Sequence, residues 1–579
     1  MNLLLSQAHG DVESSAQAYQ FALRLAPDLP PVVQLNFMRL MLDGAQWQHW
    51  PLLESLARSD EAYSSGSWSR LEARAFLVDS VGLLHAAAAA EAAAILSVAH
   101  RARWSCEPAE CSSASAGCSA SAGCDRQGHQ VAPWPQLRER EPLRIALLSD
   151  LDADPCASLL VEALHLLHAS SAVSLTLLAT ASRPPSSHLE RISRGVPTVW
   201  LPAAPPSIDD GGAGAELCEA QRALRELQPH IILEAMGYLP GQQLSLLARP
   251  CTPPAPVHTS WLRAFHGSMR AGFIQYTTVD RVALPVHLAR SGSSGPRGGY
   301  PSRGSYSNAD ERGRSSPIDG YTEALVMLPH QHLVNSHAAS AARDRRSADR
   351  RSADRSAQAG GETGGGDEAA SRRQLPASWP RDGPIACSLN RVNKLEPTLL
   401  DVWASALRRS HSPLWIATGA GSWTARGRRE ATAALKREAA ARGLRVASLL
   451  AAERAKSAEA HMRRVQRCSL ALDARRWGAH VTAVDALWSG VGVLTMPGAA
   501  LAARAAHSLT HAAGVAPLST HSLKEYSDMA QALLRDERAT PSAYYTSASL
   551  DLERAARHGR GRRRGRAMPL EVTLDGSVL

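Results

Sequence analysis

Hydrophobic positions recur along this chain in two rhythms. Up to about residue 104 they follow a helical period, and beyond Pro142 short apolar runs alternate with amphipathic stretches. In the first part Val32–Leu42 reads as a helix, and the pattern stays helical from Trp47 to Arg103, ending in the Ala-rich segment His85–His100, whose composition favours helix. In the second part PLRIALLSD gives a strand, Cys156–His168 a helix, Ser174–Ala179 and Thr198–Leu201 strands, and Gln221–Leu227 a helix. His230–Ala235, Val257–Trp261, Tyr276–Val279 and Glu323–Pro329 supply further strands. A new alternating set begins at Ile385. IACSLN is a strand, Glu396–Leu407 a helix, Leu414–Ala417 a strand, Thr424–Ala441 a helix, Val446–Leu449 a strand and Ala458–Arg467 a helix. The set closes with the strand Cys468–Leu472, the helix Val481–Ser489 and the strand Val491–Met496. Alternation of this kind predicts doubly wound parallel sheets, so the expected class is α/β with two Rossmann-like domains behind a short helical region. Two such units in series place a cleft between them, and ligands meet these sheets at the carboxyl ends of the strands.

Low-complexity tracts set the boundaries. The expected division is a helical region at 1–104, a Ser/Ala/Gly/Cys linker at 105–140, a first Rossmann-like domain at 141–337 with an insertion at 290–318, and an insertion at 338–378. A second Rossmann-like domain follows at 379–556 and a basic tail at 557–579. Both insertions are too polar to bury a core and are expected to be disordered at the surface.

Composition narrows the function classes. At 579 residues and 44% hydrophobic the chain can form several cores. Its net charge of +9 is carried largely by Arg-rich tracts such as His558–Arg566, HGRGRRRGR, outside the folded segments. That tail suits nuclear import or a solvated basic end, and nucleic acid is not the expected partner. No run of about 18 apolar residues occurs, and MNLLLSQAHGDVESS lacks a basic leader, so a cytoplasmic or nuclear protein without a membrane span is expected. Among nine cysteines, Cys106, Cys111, Cys118 and Cys124 fall in the tandem SSASAGCSASAGC region without the close pairing of a zinc site, and no metal site is expected. The other five are scattered, as in a reducing compartment.

The strongest chemical signal is Leu472–Gly498, LDARRWGAHVTAVDALWSGVGVLTMPG. A strand runs through a short loop into a helix, and a helix N-terminus at the carboxyl end of a parallel strand offers N–H groups and partial positive charge to a phosphate. His480, Thr482 and Asp485 are expected to face that mouth.

Several segments together resemble a known family. LRIALLSDLDADPCASLL, APVHTSWL, YTEALVMLPH, SLNRVNKLEPTLLDVWASALRR, EAHMRRVQRCSLALDARRWGAHVTAVDALWSGVGVLTMPGAALAAR and KEYSDMAQALL are similar, in order, to the catalytic region of the protein O-GlcNAc transferases. Gly10, Tyr19, Ala22, Leu23, Leu25 and Pro27 match a tetratricopeptide unit, corresponding to the end of that family's repeat array. The resemblance covers most of 9–103, 142–287, 319–337 and 383–535. It implies a GT-B glycosyltransferase that moves N-acetylglucosamine from UDP-GlcNAc to Ser or Thr hydroxyls of intracellular proteins, by inversion, with no metal or other cofactor. It also implies that protein partners meet the helical N-terminus.

Carried over residue by residue, the resemblance puts the leaving diphosphate on Lys394 of SLNRVNK and on the helix opened by His480 with Thr482. The ribose falls to Asp485, and His461 of EAH joins the donor site. Arg391 stands where the family has the glutamine of its donor loop, Val481 where it has a threonine, and Ala458, with Lys456 nearby, where it has a lysine. His230 of HIILEAMGY matches, and Asp154 and Ser158 occupy two histidine positions after the first strand. Lys394, His230 and Asp154 are therefore the candidate catalytic residues. Arg263 and Phe265 replace smaller residues in the acceptor wall, WLRAFHGSMRAG. The phosphate and ribose side is retained better than the acceptor side, which implies UDP binding with transfer slowed, altered or lost. Two other readings stay open: a non-catalytic nucleotide-binding scaffold, and a protein O-fucosyltransferase using GDP-fucose, as in the SPINDLY-type proteins.

Overall fold

The computed structural model describes residues 19, 21, 31–58, 64–65, 68–77, 81–106, 141–149, 157–180, 195–201, 220, 223–224, 226–239, 242–248, 254–261, 267–285, 321–337, 383–418, 425–452, 455 and 457–535. The expected linker starts later than 105, since Ser105 and Cys106 are still helical; the rest of it, both insertions, the basic tail and Asp154 lie outside the described residues, as do Arg263, Phe265 and Lys456.

The helical part comprises α1 (Pro31–Asp43), α2 (Trp50–Arg58), α3 (Arg70–Leu77) and α4 (Val81–Cys106). The expectation of unbroken helix from Trp47 to Arg103 is corrected by a short antiparallel hairpin, Ser64–Ser65 with Trp68–Ser69. The sequence YSSGSWS explains the break, because serine and glycine both compete poorly for helix interiors.

The first sheet holds β1 (Leu143–Leu148), β2 (Val173–Thr180), β3 (Thr198–Leu201), β4 (Ile231–Glu234), β5 (Val257–Ser260), β6 (Tyr276–Asp280) and β7 (Ala324–Leu328). Its order is β3-β2-β1-β4-β5-β6-β7, with every pair parallel and α5 (Ala157–His168) crossing from β1 to β2.

The second sheet holds β8 (Ala386–Ser388), β9 (Leu414–Ala417), β10 (Leu449–Ala452), β11 (Leu470–Leu472) and β12 (Gly492–Leu494), in the order β10-β9-β8-β11-β12. The crossings are α6 (Pro397–Ser410), α7 (Ala425–Ala441), α8 (Ala458–Val465) and α9 (Val481–Trp488), and α10 (Ala505–Ala512) and α11 (Leu523–Arg535) follow. The expected strand Val446–Leu449 is displaced. Val446–Ser448 forms a 3-10 turn with Val446 exposed, and the run LLAA pairs with Leu414–Ala417 instead. Burial of a continuous apolar run in a parallel sheet outweighs the β preference of one valine.

Both sheets share the same inner order, so each reverses direction between its first and fourth strands. That switch point is where crossing helices leave opposite faces and a crevice opens at the carboxyl ends. In the second sheet it lies between β8 and β11.

The three parts pack on one another. Leu35, Met38, Leu53, Leu77 and Leu84 of the helical part share one core with Leu244, Leu246 and Trp477. Arg476 pairs with Glu54 at 2.9 Å and lies 5.4 Å over the Trp50 ring, while Arg475 pairs with buried Glu396 at 2.6 Å. Between the sheet domains, Arg504 donates to the carbonyls of Ala283 (2.8 Å) and Val282 (3.2 Å), and Ser508 donates to Asp280 at 2.9 Å.

The cysteine expectation also changes. Cys387 on β8 and Cys468 just before β11 are joined as a disulfide, since the pairing of these neighbouring strands brings their Cα atoms to 5.7 Å.

Candidate functional site

Two loops leave the switch point of the second sheet. The loop after β8 carries Asn390, Arg391 and Lys394, and the loop after β11 runs from Asp473 to His480 before α9 begins. Asp473, at the carboxyl end of β11, organises both. Its Oδ1 accepts the backbone N–H groups of Ala474 (2.8 Å) and Ala479 (2.6 Å) and the Asn390 amide (3.3 Å), while Oδ2 accepts the Thr495 hydroxyl at 2.8 Å. Burial pushes its carboxyl above the usual range, against the pull of those donors and of Lys394. Asp473 is not among the sequence candidates. An acidic residue ending a buried apolar strand was the signal that could have marked it.

The loop so folded presents Gly478, whose N–H donates to Ala502 O at 3.0 Å. Its carbonyl accepts from Lys394 Nζ at 2.8 Å, and that ammonium also lies 5.7 Å from the Trp477 ring centroid. His480 is the N-cap of α9, with its carbonyl accepting from Ala483 and Val484 and its Nδ1 accepting from Trp477 Nε1 at 3.4 Å. Thr482 in the first turn donates to Asn390 Oδ1 at 3.0 Å. A lysine from one loop is thus bonded to the loop that opens a helix N-terminus, an arrangement that stabilises an anion.

Asp485 follows on α9 and is 7% exposed. Its Oδ2 accepts from His461 Nε2 at 3.1 Å and its Oδ1 from His337 Nε2 at 2.8 Å. Burial alone would raise this carboxyl. Hydrogen bonds from His337 and His461 and their charge outweigh it and hold Asp485 below the usual carboxylate range. His337 was missed by sequence reasoning because it belongs to the other sheet domain, 148 residues away.

Among the sequence candidates, Lys394, His480 and Thr482 meet around the loop after β11, and Asp485 and His461 meet beside them. Arg391 is exposed at the start of the Val392–Lys394 turn and is not drawn into those contacts. His230 is corrected. It precedes β4 at the amino end of the first sheet, opposite to the edge where ligands meet such sheets, and its Nδ1 accepts the Arg144 N–H at 2.9 Å. Its bonds hold the starts of β1 and β4 together. Asp154 lies outside the described residues.

A second polar cluster, also absent from the sequence candidates, joins α4 to the first sheet domain. His85 Nε2 accepts the Ser268 N–H at 3.0 Å, and the Ser268 hydroxyl donates to buried Glu323 at 2.7 Å. A Cβ on Gly267 would come within 2.5 Å of His85 Nε2, so the glycine permits this close approach, and its φ of +96° suits glycine as well. Among the described residues there is no group of three or more His, Cys, Asp or Glu side chains placed to hold a metal, and no helix long and apolar enough to cross a membrane.

Two parallel sheets of like inner order in domains that pack on one another, with a helix start and a lysine at the switch point of the second, define an α/β glycosyltransferase fold of the GT-B type. The sequence model of glycosyl transferase family 41 matches residues 320–543, a stretch that contains His337, Lys394, His461, Asp473 and the whole of α9.

A mutant of the Thermobaculum terrenum O-GlcNAc transferase shares the fold, with a TM-score of 0.52 and 20% identity over 96% of this chain and 95% of that one. In sequence the chain is 25% identical over 307 residues to a probable UDP-N-acetylglucosamine–peptide N-acetylglucosaminyltransferase of Arabidopsis thaliana, covering 52% of this chain and 25% of that protein. It is 29% identical over 157 residues to the UDP-N-acetylglucosamine–peptide N-acetylglucosaminyltransferase of Caenorhabditis elegans, covering 27% of this chain and 13% of that protein. The matches thus span a quarter or less of those relatives' length.

Proposed function

We propose that this chain transfers N-acetylglucosamine from UDP-GlcNAc to serine or threonine hydroxyls of proteins, in the cytoplasm or nucleus, without a metal. The hydroxyl oxygen attacks the anomeric carbon from the face opposite the diphosphate, the bond to the diphosphate oxygen breaks, and UDP leaves with the electron pair. The observation that carries this reading is the bond from Lys394 Nζ to Gly478 O, which anchors an ammonium to the loop that opens α9. A cation and a helix N-terminus stabilise charge developing on a departing diphosphate, the work a divalent ion does elsewhere. Asp485 accepts the ribose hydroxyls, held by its bond from His461, and His480 opens the helix that carries it. Asp154, shortly after β1 in the sequence, takes the acceptor's proton, and the helical N-terminus offers a surface to protein partners.

The test pairs UDP titration with turnover of UDP-GlcNAc on a peptide acceptor. Lys394→Ala should reduce turnover about 100- to 1,000-fold, the loss seen when one charge-stabilising donor is removed. If wild type and Lys394→Ala are equally inert while both are folded, the catalytic reading fails. UDP binding without turnover would leave a nucleotide-binding protein.

A further inference from the structure

The donors that fix Asp485 come from two different domains. His461 lies on α8, in the same domain as Asp485. His337 lies at the end of the segment that leaves β7, and that segment is fastened to the first domain. The backbone N–H of His332 donates to Asp280 Oδ2 at 3.0 Å, and Ser336 Oγ accepts the Glu162 N–H of α5 at 2.9 Å. Val334 packs against the core of the first sheet, whereas Leu333 packs in a core of the second. The ring of His337 therefore crosses from one domain to the other, and it rests 5.5 Å from the ring of Trp488, tilted by 43°.

A carboxylate has about four acceptor positions, and two imidazole N–H groups use two of them. The remaining two suit a vicinal diol. We propose that His337 is a positioning residue that presents Asp485 to the ribose diol of a nucleoside diphosphate, so that the donor site is complete only when the two domains are together. This rests on the reading of Asp485 as the ribose acceptor. His461 alone leaves Oδ1 without its imidazole partner and the carboxylate free to rotate. Outer partners that orient a liganding group typically contribute 10- to 100-fold in affinity.

The experiment compares UDP with a UDP analogue lacking both ribose hydroxyls, by titration calorimetry on the full chain. Wild type should prefer UDP by about tenfold or more. His337→Ala should bind UDP about as weakly as the analogue, with analogue affinity unchanged, a pattern that general loosening of the fold would not give. His337→Gln, which keeps an N–H donor at similar reach, should recover part of the preference, and it serves as the readout if His337→Ala does not fold. An undiminished preference for UDP in a folded His337→Ala, or loss of the preference in a folded His337→Gln equal to that in His337→Ala, overturns the positioning role. Absence of UDP binding by wild type instead defeats the donor-site reading itself, and this proposal with it.

Discussion

Phe76 lies nearly flat against Trp477, their ring centroids 4.5 Å apart and their planes 21° from parallel. Phe76 belongs to α3, and Trp477 to the loop between Asp473 and Gly478, one residue before the carbonyl that receives Lys394. Both rings are almost fully buried. The helical part therefore supports the site loop directly. Phe76→Ala should cost about 3–5 kcal/mol of stability, as aromatic truncations in cores do. It should also weaken UDP binding, because the indole is the wall against which the loop is set. Denaturant melts and UDP titration check the two effects separately.

Gly478→Ala probes the loop from within. An added Cβ would stand 3.0 Å from Asp473 Oδ2 and 3.6 Å from the carbonyls of Ala474 and Ala502. Asp473 cannot swing away without losing Thr495 or the N–H of Ala479. We expect a cost of about 1–3 kcal/mol, the usual penalty of overpacking, with UDP affinity falling more than for a substitution at exposed Arg391. A variant as stable as wild type with unchanged UDP affinity would show that the loop has slack.

Most of the sheet architecture was legible in the sequence because each buried parallel strand is a short apolar run bounded by turn residues, as in LLSD, IILEA and LWIA. Leu414–Ala417 is predicted to the residue, and β10 slips by three because a valine ahead of the run suggested strand where a turn forms. The candidate site was legible where its groups follow one strand or start one helix: His480 caps α9, Thr482 and Asp485 fall on it, and Lys394 follows β8. What the sequence hides is contact between distant segments. His337 reaches Asp485 across 148 residues and His85 reaches Ser268 across 183, and neither position has a local pattern that marks it. His230 misled for the converse reason. A residue next to a buried strand can stand at either end, and only the sheet's direction says which end faces the ligand.

His258 gives a pH dependence whose sign is fixed. It is wholly buried in β5, where burial pushes its pKa from the ordinary 6.5 down to about 4, against the bond its Nδ1 makes to Phe273 O at 2.8 Å. The unfolded chain thus takes up a proton that the folded one refuses. Stability contributed by neutral His258 is full above about pH 6.5 and is lost as pH falls toward 4, by about 3 kcal/mol at most. His258→Asn keeps a donor for Phe273 and should flatten that part of the stability profile. Melting temperatures at steps from pH 7.5 to 4.5 decide the matter, and an equally steep decline in the variant would assign the proton to another group.

Asp280 gives a second dependence, at lower pH and across the domain boundary. It ends β6, accepts the backbone N–H groups of Val282, Ala283 and His332, bonds His332 Nδ1 at 2.5 Å, and receives the Ser508 hydroxyl from α10. Burial would raise its carboxyl, but the His332 bond and charge and the remaining donors win, and the pKa falls from 3.8 to about 2. The stability this contributes, about 2 kcal/mol, is present above about pH 4 and is lost as pH falls from there to 2. Ser508→Ala removes only the bond that crosses between domains and should cost about 1 kcal/mol. Because Arg504 still holds Val282 and Ala283, the domains should stay associated in that variant, whereas Ser508→Ala combined with Arg504→Ala should split calorimetric unfolding into two separate transitions. If the double variant unfolds in the same single transition as wild type, the Asp280 contact is incidental to domain association, and the apolar packing of Leu501 on Val279 and Leu284 carries it instead.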